Sequence, residues 1–129
     1  MDAYTPHNPV HILRVLSDRT RFRMARLLLS AEEPLCVCEL ADALDEPQYN
    51  VSRHLRELKI AGLLAEEREG KWVYYSLAEP ASAFEEHLFR ALGAHSDPLH
   101  EEDMRRLRAR LALRKGGRCV VGVGGGRTG

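Results

Sequence analysis

The chain has little of what would place it in several large protein classes. It carries no excess of either charge, with nineteen Lys and Arg against nineteen Asp and Glu. Net charge therefore gives no argument for a nucleic-acid or membrane partner, which must be argued from local placement. No apolar run approaches the roughly eighteen residues of a membrane span. Residues 1–10 lack the basic segment and apolar stretch of a secretion signal, which predicts a cytoplasmic protein with no membrane partner. Three cysteines are few, and odd in number, for a disulfide framework. In a reducing compartment, thiols serve more often as metal ligands or redox groups. A phosphate loop is missing too: Gly122 to Gly126 has no strand-to-helix context, and Arg127 stands where a dinucleotide fingerprint needs its last glycine. With no nucleophile and base constellation, the sequence does not read as an enzyme and implies no organic cofactor.

What is present is helical periodicity. At 129 residues the chain has room for one compact domain, expected over residues 1–115, and a Gly-rich tail over 116–129 expected to be flexible. From Pro9 the apolar positions Ile12, Leu13 and Leu16 recur at helical spacing. A second helix from Thr20 places Phe22, Ala25, Leu28 and Leu29 inward and Arg21, Arg23 and Arg26 elsewhere. Cys36 to Leu44 reads as a short helix, Asp45-Glu46-Pro47 as a turn, and Gln48 to Ala61 as a helix with Val51, Leu55 and Leu58 inward. Gly62 supplies its stop. Two short helices joined by a tight turn are helix-turn-helix geometry. The period then changes to two, and Leu64–Arg68 and Trp72–Leu77 around Glu69-Gly70-Lys71 predict a β-hairpin, a wing. Further helices are expected from Glu79-Pro80 and from Asp97-Pro98, the last ending by Gly116-Gly117. The fold class is mostly α with a hairpin (α+β), a winged helix-turn-helix.

With Val51, Leu55 and Leu58 in the core, the outer face of that helix presents Gln48, Tyr49, Asn50, Ser52, Arg53 and Arg56. Arg, Gln and Asn are the side chains that make paired contacts to guanine and adenine in the major groove of double-stranded DNA. Gln48, Asn50 and Arg53 are assigned to base reading, and Ser52, His54 and Arg56 to phosphates or orientation. Arg68 and Lys71 at the hairpin tip can reach flanking phosphates, although Glu66, Glu67 and Glu69 dilute their field.

Cys36 and Cys38 lie where the first helix of that motif begins. Two positions apart on a regular helix are about 200° around the axis, so joint coordination by both sulfurs is expected to unwind or re-aim that turn and disturb the recognition helix. Thiolates are soft ligands that favour As(III), Sb(III), Cd(II), Pb(II), Cu(I) or Zn(II). A trivalent arsenical that prefers three sulfurs fits a sparse thiolate set better than an ion that normally takes four ligands. Buried core cysteines and a redox dithiol are the competing readings.

The segment Pro34-Leu35-Cys36-Val37-Cys38-Glu39-Leu40, with Val51-Ser52-Arg53-His54-Leu55 and Gly70-Lys71-Trp72-Val73-Tyr74-Tyr75, resembles the ArsR/SmtB family of metal-sensing repressors, most closely its arsenical sensors. The resemblance covers roughly Pro9 to Leu77. It implies a homodimer, joined through its first and last helices, that represses from operator DNA and is released when As(III) or Sb(III) binds. Many such sensors place a third cysteine three residues after the second, and this sequence has Ala41 there. Cys119 is the candidate replacement; a solvent-derived ligand or an added thiol is the alternative. Cadmium and lead sensors of the family draw further cysteines from an N-terminal arm, where this chain has only His7 and His11, read as surface residues. His87, His95 and His100 lack the spacing of the family's zinc sites. A repressor responding to oxidation, or to Cd, Pb or Zn, through the same cysteine pair is the alternative.

Overall fold

The computed structural model describes residues 5–122. Six helices and three short strands follow in the order α1 (Pro9–Leu16), α2 (Arg19–Ala31), β1 (Leu35–Cys36), α3 (Val37–Leu44), α4 (Gln48–Ile60), β2 (Leu64–Glu69), β3 (Trp72–Leu77), α5 (Ala83–Ala94) and α6 (Pro98–Leu111). Polar residues fix where the helices begin. Asn8, Asp18, Ser82 and Asp97 each accept backbone N–H bonds with their side chains at the starts of α1, α2, α5 and α6, satisfying donors that helix geometry leaves free. Ser82 also explains why α5 begins at Ala83 rather than at the expected Glu79-Pro80.

Helix α2 is the hub, touching α1, α3, α4, α5, α6 and β3. Its Met24 and Leu27 join Ile12, Leu35, Leu40, Leu44, Val51, Leu58, Leu63 and Leu107 in one core. Two arginines on α2 that the periodicity placed away from the core are inside it. Arg23 makes a forked pair with Asp103 of α6 at 2.8 and 3.0 Å and donates to the Leu44 carbonyl at 2.9 Å. Arg26 is 1% exposed and reaches Asp97 at 3.0 Å. Both burials are tolerable because the charges are matched within hydrogen-bond reach. His11, expected at the surface, is also buried.

The turn between α3 and α4 is built on Asp45, a left-handed residue (φ +56°). The Glu46 N–H donates to the Ala41 carbonyl at 3.0 Å and the Asp45 N–H to Asp42 at 3.3 Å, a Schellman closure in which Asp stands where Gly is usual. Strands β2 and β3 pair antiparallel from Leu64↔Leu77 to Glu69↔Trp72, and Gly70 (φ +61°) takes the left-handed position at the tip. The wing has a third strand that periodicity did not reveal: β1 pairs with β3, Leu35 opposite Tyr75 and Cys36 opposite Tyr74. The sheet order is β1-β3-β2.

Helix α6 lies along α3. Three arginines spaced four apart join the two. Arg106 donates to the Ala43 carbonyl at 2.7 Å, Arg110 to Asp42 at 2.9 Å, and Arg114, just past the helix end, to Glu39 at 2.6 and 2.7 Å.

Candidate thiolate site and DNA-reading face

Cys36 ends β1 in extended conformation (φ −84°, ψ 165°) and is the residue that precedes the first turn of α3. It therefore lies outside the helix, and the 200° separation of a regular helix does not apply to this pair. The two sulfurs are 3.0 Å apart, and no unwinding of α3 is needed to bring them together. The expectation that joint coordination must distort this turn is overturned by one residue of helix boundary.

Ala41, the position of the usual third cysteine in the resembled sensors, is fully buried in the core. The third sulfur comes from the far end of the chain. After α6, Lys115 and Arg118 exchange backbone hydrogen bonds at 3.0 and 3.1 Å across Gly116 (φ +61°) and Gly117 (φ +76°). Two consecutive positive φ values make a tight primed reversal that glycine alone adopts without strain. The chain then doubles back and brings Cys119 Sγ to 3.0 Å from Cys36 and 3.4 Å from Cys38. Cys119 is 3% exposed, and its N–H donates to the Tyr74 hydroxyl at 3.0 Å. The start of the Gly-rich stretch thus packs onto the domain as a strap, while residues 123–129 lie outside the described residues.

Charge surrounds the three sulfurs in a definite pattern. The buried Arg110 guanidinium lies 3.4 Å from Cys38 and 3.5 Å from Cys119. Hydrogen bonding from Cys36 outweighs the opposing effect of burial and, with further help from Cys119 and Arg110, lowers the Cys38 thiol to about 6. Cys36 is pushed up by its bond to Cys38 and by burial, and Cys119 by burial. Glu39 is completely buried. Burial opposes its ionisation, but the Arg114 bonds and the Cys36 N–H at 3.0 Å prevail and hold it below the usual carboxylate range.

Cys36, Cys38 and Cys119 form a group whose ligand atoms all converge. With metal–sulfur bonds of about 2.3 Å, three sulfurs on one ion sit roughly 3.3 Å apart at near-right angles and roughly 3.8 Å apart in a tetrahedron. The observed 3.0, 3.0 and 3.4 Å are nearer the pyramidal arrangement. Sequence reasoning named these three cysteines but missed Arg110, Arg114 and Tyr74. The spacing Arg106, Arg110, Arg114 was the available signal.

On α4, Gln48, Tyr49, Ser52, Arg53 and Arg56 are exposed and Asn50 is half-buried; Arg68 and Lys71 are exposed on the wing. Tyr49 is 78% exposed. Arg53 donates to Asn50 Oδ1 at 2.6 Å and Asn50 to Glu46 at 3.2 Å, forming a polar chain along the face. His54 does not belong to this face. Three residues after Val51 it falls on the inner stripe, is 7% exposed, and its Nδ1 meets Arg21 Nη1 at 3.1 Å. Ser52 and Arg56 border a cleft with Lys59, Glu66 and Tyr75 between α4 and the wing; Lys59 and Tyr75 were not anticipated.

A helix pair with a polar outer face, followed by a hairpin wing, defines a winged helix-turn-helix of the DNA-binding class. A helix-turn-helix domain family matches residues 16–67. Over 98 residues the chain is 43% identical to the arsenic resistance transcriptional regulator ArsR2 of Pseudomonas putida, covering 75% of this chain and 84% of that protein. It belongs to the ArsR family of transcriptional regulators. It is also 49% identical over 69 residues to ArsR1 of the same organism, spanning 54% of this chain and about half (53%) of that relative. Among solved structures, reduced HlyU from Vibrio cholerae matches with a TM-score of 0.57 and 27% identity over 66% of this chain and 84% of that one. No helix among the described residues is long and apolar enough to cross a membrane.

Proposed function

We propose that this protein is an arsenical-responsive repressor. It binds double-stranded operator DNA as a homodimer and is released when As(III) or Sb(III) is captured by Cys36, Cys38 and Cys119. The observation that carries this reading is the convergence of three buried sulfurs directly behind the helix-turn-helix. A trivalent ion with three bonds and a lone pair matches three sulfurs without a fourth ligand, whereas Zn(II) and Cd(II) normally take four. The DNA-facing residues are Gln48, Tyr49, Asn50, Ser52, Arg53 and Arg56 on α4, and Arg68 and Lys71 on the wing. The repressor unit is residues 1–115, and the stretch after it supplies the third ligand. Val10 and Leu13 leave apolar surface exposed on α1, 60% and 52%, which suits a face for a second copy.

Because the sulfurs already meet, capture does not work by unwinding α3. Ligand and DNA each favour the conformation they bind best, and release requires that the thiolate-closed conformation differ in affinity for DNA. The test is a gel-shift titration on the DNA upstream of the protein's own gene, with arsenite, antimonite, cadmium, zinc and peroxide added separately. Release by arsenite or antimonite with DTT present supports the reading. Release by peroxide alone would move the input to thiol oxidation, and release by cadmium or zinc alone to a divalent sensor.

A further inference from the structure

We propose that Arg110 is the positioning residue of the thiolate site: it holds the strap of residues 118–122 in place, so that Cys119 faces Cys36 and Cys38 before any ligand arrives. This rests on the thiolate reading above for its ligand-binding part only. The guanidinium is 2% exposed and joins three pieces of the molecule. From α6, Nη1 donates to Asp42 of α3 at 2.9 Å and to the Gly122 carbonyl at 2.7 Å. Nη2 donates to the Val121 carbonyl and lies against the Cys38 and Cys119 sulfurs.

Arg110 gives the strap its two charge-assisted bonds to backbone carbonyls. Val120 is 44% exposed and Val121 half-buried, so Cys119 is the one fully buried side chain of residues 118–122. Further anchors are the Tyr74 hydroxyl on the Cys119 N–H, Cys38 Sγ at 3.5 Å from the Val121 carbonyl, Arg118 over the Tyr74 ring at 5.7 Å and an exposed Arg118–Glu69 pair at 2.7 Å, and exposed pairs contribute little. A planar fork spreads its donors over separate nitrogens, so Nη1 serves Asp42 and Gly122 while Nη2 serves Val121 and the sulfurs; an ammonium has three donors on one nitrogen and does not span these groups. Prepositioning removes the cost of ordering the third ligand when the ion binds. The same positive charge faces two sulfurs that coordinate as thiolates.

The experiment uses the full chain, ligand-free, with Arg110→Met to keep bulk and Arg110→Lys to keep charge. Hydrogen exchange by mass spectrometry is expected to show residues 118–122 exchanging at least tenfold faster in Arg110→Met, with α2 protected as before. Lysine is expected not to rescue the strap. If Arg110→Met fails to fold, Arg110→Lys decides by the same measurement. Arsenite is then added, and thiols are counted with a disulfide reagent: the wild type should shield three thiols and the variants two. A strap as protected in the variants as in the wild type overturns the proposal. So does a freed strap with three thiols still shielded. If arsenite shields no thiol of the wild type, the thiolate reading falls, while the exchange measurement still decides whether Arg110 holds the strap.

Discussion

Cys36 Sγ lies 3.0 Å from Cys119 Sγ, although 83 positions separate the two residues in the chain. That contact joins the first strand to the segment beyond the last helix. It makes the third ligand a test of the whole arrangement. Cys119→Ser is expected to weaken arsenite binding by tenfold or more, about 1.4 kcal/mol, and to reduce the arsenic–sulfur coordination number from three to two in X-ray absorption. DNA binding without inducer should not change.

Arg53 is exposed and bonds to Asn50 on the α4 outer face, so its removal should leave the fold intact. Arg53→Ala is expected to cost about 1–3 kcal/mol in operator affinity. A gel-shift titration at fixed salt, paired with an unchanged melting temperature, checks both halves.

The Arg23–Asp103 pair ties α2 to α6 with Asp103 wholly buried. Arg23→Met leaves that carboxylate with Arg106 as its remaining cation, at 2.7 Å, and is expected to destabilise the fold by about 1–3 kcal/mol, with the double change Arg23→Met and Asp103→Leu recovering part of the loss. Urea unfolding of the two variants reads this directly.

Asp97 caps α6 and pairs with buried Arg26. Chiefly through the Arg26 hydrogen bond, its carboxyl is held at about 2, below the ordinary value of 3.8. A depressed carboxylate contributes stability that is fully present above the unfolded value and is lost as pH falls through the folded one. Wild-type stability is thus expected to decline from about pH 4 toward pH 2, and Asp97→Asn to flatten that part of the profile. Thermal melts across pH 2 to 6 give the comparison.

Gly116 and Gly117 both require positive φ. Alanine at either is expected to destabilise the reversal by about 1 kcal/mol and to speed alkylation of Cys119. Mass-spectrometric rates for the individual cysteines, at constant pH, measure the effect.

Periodicity carried the fold where one face is buried and the other is wet. Val51, Leu55 and Leu58 are 0%, 3% and 0% exposed, which the 3.6-residue pattern required, and the outer face of α4 followed from them except for His54. The cysteine geometry was harder to read. A helix starting at Val37 instead of Cys36 turns two diverging sulfurs into a touching pair, and helix boundaries are the least legible feature of a sequence. The strap was hidden for a different reason. Two adjacent glycines fit a flexible tail and a tight reversal equally well. What decides between them is Arg110, 9 residues away, and the Tyr74 hydroxyl, 45 away, contacts that no local pattern encodes.

The pairing of Cys36 with Tyr74 places the thiolate site within the same small sheet as the wing. Tyr74 also lies under the Arg114 and Arg118 guanidiniums at 5.5 and 5.7 Å. In the repressor reading, a strain at the sulfurs then has two outlets, one into α3 and one along β3 to the tip carrying Lys71. The second would register as ionic-strength behaviour. A wing that lets go of one phosphate lowers the slope of log affinity against log salt by about one, while base preference stays as it was. Measured with and without inducer, that slope separates a protein that loosens its wing from one that withdraws its recognition helix.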